Sequence, residues 1–209
     1  MKEHPILFST DMVKAKLAGN KTMTRRLINP QPIIDDQSGF VFDGKHRKQY
    51  DIHNWKDRFI DDWSRWMPGD LLWTRESWSY YTDDVGNDIP GLYQFKTDSH
   101  ITDEVKFRPS IHMPKDACRI WDEIISIKIE RVADITEDDA KKEGANRGIF
   151  REGPNTEKGE FHLEHNIHGS YKAGFEFIWK IINGKDSWKL NQWVWVIEYK
   201  NVSLNGPKP

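Results

Sequence analysis

Thirteen residues, Lys14 to Arg26, hold five cations (Lys14, Lys16, Lys21, Arg25 and Arg26) and no acid, in a 209-residue chain of net charge −2. Positive charge this local suits a small anionic or polar ligand such as a nucleotide. A long duplex favours a protein that is basic overall. Lys21, Thr24 and Arg26 form a Lys-x-x-Thr-x-Arg run shortly after Gly19. An ammonium and guanidinium groups placed there can bind an oxyanion or a phosphate. A solvated basic helix end, its lysines complementing the dipole at a helix C-terminus, explains the same residues without a ligand.

A second cationic segment surrounds His112, where Lys106, Arg108, Lys115 and Arg119 stand against Asp116 alone and two prolines fix the loop. Loops held by a rigid scaffold often carry function, which makes Arg108, Ser110 and His112 candidate ligand contacts. The plainer alternative is a packed loop closing the fold. Arg75 and Glu76 offer a charge pair at the mouth of a site, or else a surface pair of little energetic weight. His162, His165 and His168 recur at spacing three, but no cysteine assists and no HExxH pattern appears, so no metal site is assigned. Cys118 is the only cysteine, which excludes an internal disulfide and reads as a small buried hydrophobe.

Charged residues make up 31% of the chain and hydrophobic ones 37%, the balance of a soluble globular protein. No apolar run approaches the roughly 20 residues that cross a bilayer. The start, MKEHPILFSTDM, lacks the apolar stretch of a signal peptide, so a cytoplasmic protein with no membrane partner is expected. Nothing in the composition calls for a cofactor. Ten tryptophans are a heavy load; they can stack on bases, but most are expected in the core or its rim.

The elements that must position these residues follow from caps and periodicity. Ser9 or Thr10 caps a helix carrying Val13 and Leu17, and Gly19 ends it. Lys21 to Ile28 is predicted to be extended. Strict alternation would then put Lys21 and Thr24 on opposite faces, unless Lys21 still lies in the turn leaving the helix. Pro68-Gly69-Asp70 opens a strand from Leu71 to about Trp78. Residues 119–132 alternate, with Ile125, Ile127 and Ile129 on one face. Thr136 caps a short acidic helix that runs through Glu143 and stops at Gly144. A longer amphipathic helix covers Tyr171 to Ile182. A last strand, Trp193 to Lys200, is apolar on both faces and so central, and the tail after it should fray. Residues 29–66, 80–108 and 145–169 are polar and poorly periodic, expected as insertions with little regular structure. The whole predicts one α+β domain: a small mixed β-barrel flanked by helices, with long loop insertions.

Four separated segments resemble a known family. They are Gly19-Asn20-Lys21-Thr22-Met23-Thr24-Arg25-Arg26, the Pro-Gly-Asp turn before a strand, Ile135-Thr136-Glu137 leading to Ala140 and Glu143, and the terminal VWVIEYK. Together they resemble the ASCH domain of the PUA-like superfamily of RNA-associated β-barrels, in its longer phage and prophage form. They are also similar to the small bacterial N(4)-acetylcytidine amidohydrolases, which carry G-x-K-T-x-T-x-R and T-E-x-x-A-x-x-E segments. The resemblance implies that Lys21, Thr24 and Glu143 occupy catalytic positions.

Removing an acyl group from an exocyclic amine needs a nucleophile, a base and support for an oxyanion. Thr24 can attack if Lys21 is a neutral amine that takes its proton. Burial and the guanidinium groups of Arg25 and Arg26 lower the proton affinity of Lys21, and Glu143 raises it. Equally, Lys21 can stay charged and hold an oxyanion or phosphate while Glu143 activates water. The leading expectation is a nucleotide- or modified-nucleoside-binding protein that hydrolyses an N-acyl group from cytidine. The alternatives are a non-enzymatic module binding single-stranded RNA through Lys21, Arg25, Arg26 and Arg108, or a phage factor binding a host protein. RNA cleavage with Lys21 and His112 as acid and base is a further option.

Overall fold

The chain begins with a short strand, β1 (Glu3–Leu7), whose Pro5 has no N–H to give a neighbour. Ser9 Oγ then accepts from Met12 N and starts helix α1 (Thr10–Leu17), which ends at Ala18 with Gly19 at φ 74°. That left-handed turn, open to glycine without steric cost, sends the chain back into strand β2 (Met23–Leu27). These relations come from a computed structural model that describes residues 1–45, 48–102, 104–152, 161–165 and 169–204.

Strands β3 (Ile33–Asp35), β4 (Phe40–Phe42) and β5 (Gln49–Asp51) form a small antiparallel sheet, and helix α2 (Trp55–Trp63) follows. Next come β6 (Leu71–Arg75) and the hairpin of β7 (Trp78–Thr82) with β8 (Asp88–Phe95). The long strand β9 (Trp121–Arg131) leads to helix α3 (Glu137–Lys142). Strands β10 (Gly148–Glu152) and β11 (Phe161–His165) pair antiparallel, helix α4 (Tyr171–Asn183) follows, and β12 (Trp193–Ser203) is the last element.

The architecture is mixed α+β. Its main sheet has the order β1-β6-β9-β12-β2, parallel between β1 and β6 and antiparallel between β6 and β9 and between β12 and β2. β1 and β2 end that order, and among the described residues no pairing between them closes a barrel. The terminal place of β1 explains how a strand tolerates Pro5. β12 is central, as its doubly apolar pattern predicts, with every residue from Trp193 to Ile197 buried.

The chain divides into two compact units. One comprises Met1–Asn20, Pro68–Ile125 and the chain from Tyr199 on; the other comprises Lys21–Met67 and Ser126–Glu198. The first unit packs Leu71, Trp73, Trp78, Phe95, Met113, Cys118 and Trp121 together. The second packs Met23, Val132, Ile135, Ala140, Phe175, Trp179, Val194 and Val196. On the other face of β12 in the second unit, the rings of Trp193 and Trp195 meet Trp55 and Phe59 of α2. The tryptophans in this polar stretch are therefore packed in, with Trp55 and Trp66 each 4% exposed.

Several expectations change. Residues 29–66 hold three strands and a helix, 80–108 most of the β7–β8 hairpin, and 145–169 the β10–β11 pair, none of them bare loops. The strand from Leu71 breaks after Arg75 and resumes at Trp78. In β9, Ile129 is buried at 2% exposure but Ile125 is 50% exposed, and Ile124 is buried instead. The buried set changes parity where the chain passes from one unit to the other. The final strand continues to Ser203, and the tail beyond residue 204 lies outside the described residues.

Candidate active site

Lys21 stands just before β2, joined to Glu143 by an isolated antiparallel bridge. The next residue continues the contact, with Thr22 N donating to Lys142 O at 2.8 Å. Glu143 is there because α3 is short. Thr136 Oγ1 accepts from Asp139 N to start the helix, Glu143 caps its C-terminus, and Gly144 at φ 80° turns the chain away. Lys21 is thus outside the strand alternation, in the position from which it can reach sideways.

Its ammonium is enclosed. Lys21 Nζ donates to Met23 O at 2.9 Å, to Glu143 O at 2.7 Å and to Glu143 Oε2 at 2.9 Å. Three acceptors match the three donors of an ammonium. The side chain of Lys21 is 0% exposed and that of Glu143 is 3% exposed. Removal from water is the largest influence on Lys21 and pushes its pKa below the ordinary lysine value; the charge and hydrogen bond of Glu143 oppose this, and Arg26 and Arg25 add to it.

Arg25 completes the group from β2. Its Nη1 donates to Glu143 Oε1 at 3.3 Å, and its Nη2 to Glu130 Oε2 and Asp139 Oδ2, both at 3.0 Å. Glu130 on β9, Asp139 on α3 and Arg25 on β2 therefore meet at one point. The sequence gives no direct sign of this. Asp139 reads there as an ordinary acid of a helix first turn, and Glu130 as an exposed residue of an alternating strand.

Thr24 is buried at 3% exposure and pairs in register with Ile197 of β12. Alternation puts it on the face of β2 opposite Met23 and Arg25. Among the described residues, its hydroxyl makes no hydrogen bond to Lys21 or Glu143. Lys21, Glu143 and Arg25 come together as a hydrogen-bonded cluster, and Thr24 follows on β2, three residues after Lys21. Arg26 is half-buried on the same face as Thr24, opposite Trp195 in the register.

Arg25 is no phosphate anchor, because its side chain is 0% exposed and committed to three carboxylates. Lys16, from the same cationic run, is also consumed: its Nζ meets Asp122 Oδ2 at 2.6 Å in the first unit, under the Tyr199 ring at 4.1 Å. The run that looks like a surface patch in sequence is largely a set of buried ion pairs, its acids supplied from far along the chain.

The other candidates belong to the first unit. Arg75 and Glu76 do not pair with each other. Arg75 donates to Ile111 O, while Glu76, 1% exposed, takes Arg119 Nε at 2.9 Å and Thr97 Oγ1 at 2.9 Å. Glu76 is a buried acid, contrary to the surface pair expected, and Arg119 is the partner that proximity in sequence conceals. The positive excess around His112 is also offset: Arg108 bonds Asp88, Lys115 bonds Glu3, and Arg119 bonds Glu76 and Asp98. Arg108 lies over the rings of Trp78 and Tyr80, while Ser110 and His112 form a single 3₁₀ turn with His112 exposed. Burial pushes the Cys118 thiol up to about 12, as fits a core residue.

No group of three or more His, Cys, Asp or Glu side chains is placed to hold a metal ion among the described residues. His168 lies outside them, and only the backbone of His162 and His165 is described, in β11. No described helix is long and apolar enough to cross a membrane. Comparison of the chain with family models, with curated proteins and with solved structures finds no match in any of the three.

Proposed function

We propose that the chain is an ASCH-type protein of the PUA-like class that hydrolyses the N-acyl group of an acylated cytidine, with Lys21 and Glu143 as its acid–base pair. One observation carries this reading: a lysine amine with 0% exposure, its proton affinity lowered, 2.9 Å from a carboxylate of 3% exposure. A buried amine of lowered proton affinity set against a carboxylate is a common feature of acid–base centres.

The pair supports a closed proton cycle. Passing one ammonium proton along the Nζ–Oε2 hydrogen bond converts ammonium and carboxylate into neutral amine and carboxylic acid. Burial favours the neutral pair. In the neutral form, the attacking hydroxyl gives its proton to Nζ as its oxygen bonds to the acyl carbon. That hydroxyl comes from Thr24 by the resemblance, or from water. The acid proton of Glu143 then goes to the departing exocyclic nitrogen as the C–N bond breaks. The products leave an ammonium and a carboxylate, the same pair that began the cycle. With Thr24 as nucleophile, a second round with water frees the acyl group.

The test is release of cytidine and acetate from N(4)-acetylcytidine, followed chromatographically. Wild type is expected to turn over, and Glu143→Gln, which removes the proton donor, to lose about 100-fold or more. Thr24→Val decides the nucleophile: loss of turnover assigns attack to Thr24, and retained turnover assigns it to water. Absence of turnover by wild type overturns the reading. The RNA-module alternative is weakened by the burial of Arg25.

A further inference from the structure

We infer that Arg25 is a positioning residue of this site: its guanidinium holds Glu143 Oε1 while Oε2 faces Lys21 Nζ, so one carboxylate is fixed between an orienting cation and the working amine. This rests on the acid–base reading of the Lys21–Glu143 pair, and it concerns a residue that reading does not use.

The geometry is specific. Glu143 has two oxygens and each has its own cation, Oε1 with Arg25 Nη1 at 3.3 Å and Oε2 with Lys21 Nζ at 2.9 Å. A carboxylate gripped at both oxygens cannot rotate to present the wrong one. Arg25 is itself gripped, since Nη2 reaches Glu130 Oε2 and Asp139 Oδ2, both at 3.0 Å, from two further elements. Its Nη1 also touches Met23 Sδ at 3.4 Å, and its plane lies 5.8 Å from the Phe175 ring centroid. A planar fork with fixed donor directions suits this task, whereas a lysine would supply charge without the fork.

Charge balance makes the arrangement tunable. The charged groups around Glu143 are Lys21 before β2, Arg25 and Arg26 on β2, Glu130 on β9 and Asp139 on α3. Arg25 as a cation favours proton loss from Lys21. Asp139, 23% exposed at its side chain, partly cancels that cation. Removing Arg25 therefore makes Lys21 hold its proton to higher pH, and neutralising Asp139 makes it release that proton at lower pH.

Those opposite signs are the test, and they need no activity. The Lys21 side-chain amine is followed by NMR titration in the full chain, for wild type, Arg25→Met, Arg25→Lys and Asp139→Asn. The expected result is an upward shift of the Lys21 titration in Arg25→Met and a downward shift in Asp139→Asn. Arg25→Lys, which keeps the charge, should restore the titrations but leave turnover of N(4)-acetylcytidine reduced, because the fork is lost. A reduction of about tenfold at fixed pH corresponds to misplaced geometry of modest size. Should Arg25→Met fail to fold, Asp139→Asn and Arg25→Lys still decide the matter. Unmoved titrations in Asp139→Asn, or full turnover in Arg25→Lys, overturn the inference. Shifted titrations in a protein that never releases cytidine uphold the positioning role and refute the amidohydrolase reading instead.

Discussion

Lys21 Nζ binds Glu143 twice, through the backbone carbonyl at 2.7 Å and through side-chain Oε2 at 2.9 Å. A residue at the end of the α1–β2 turn thereby fixes both the path of the chain leaving α3 and the rotamer of the acid that caps it. Structure and chemistry share one nitrogen, and the consequences are separable by mutation.

Removing Lys21 leaves Glu143 buried with less compensation than before. Lys21→Met is expected to cost about 3–5 kcal/mol of stability, the range for breaking a buried ion pair. Lys21→Met combined with Glu143→Gln should recover a large part of that loss, since no orphaned carboxylate remains. Urea denaturation of the single and double variants gives the coupling directly; simple additivity of the two losses would contradict the pairing.

Stability should depend on pH through Lys21 with a definite sign. Its pKa is lowered in the folded chain from the ordinary 10.5, so between those two values the unfolded chain binds more protons. Stability attributable to Lys21 therefore rises with pH from the lowered pKa up to about 10.5 and is flat beyond. Subtracting the profile of Lys21→Met from that of wild type isolates it. A difference that falls with pH over this window would mean the lysine gains proton affinity on folding.

Gly174 is the fourth residue of α4, and within a helix alanine ordinarily stabilises relative to glycine by about 1 kcal/mol. A Cβ at this position would meet the Asn146 carbonyl oxygen at 1.9 Å, an impossible contact with backbone. Gly174→Ala is expected to destabilise instead, by about 1–3 kcal/mol as for other overpacked sites. Thermal or urea unfolding reads the sign.

Cys118 should resist thiol reagents. Its thiol is buried and its pKa is pushed up to about 12 by desolvation, leaving almost no thiolate at pH 8. Labelling by a disulfide reagent is expected to be slow in the native chain and fast in denaturant. Equal rates would show that the thiol is accessible in the folded state.

Much of the site was legible because its parts are marked locally. Gly19 ends α1, Thr136 caps α3 and Gly144 ends it, which marks Glu143 at a helix end; Lys21, read as extended unless still in the turn, stands in an isolated bridge just before β2. The partnership of Arg25 was not legible, because Glu143 and Asp139 stand 118 and 114 residues away and a cationic run in sequence looks the same whether its acids are near or far. The fold divides the same way. β12 announces itself by tryptophan and valine on alternate faces, both apolar. β1 is concealed by Pro5, which only a terminal strand accommodates. The strands of residues 29–66 are three residues each, too short for alternation to show. In β9 the parity change between Ile124 and Ile129 defeats any reading that assumes one continuous period.

The most direct measurement is the rate of cytidine release from N(4)-acetylcytidine by the wild-type chain between pH 6 and 9. The proton cycle needs the one proton that the pair shares, so turnover should decline as pH rises through the lowered pKa of Lys21 and should collapse in Glu143→Gln. A rate that is absent, or that survives in Glu143→Gln, would contradict an acid–base role for the buried pair.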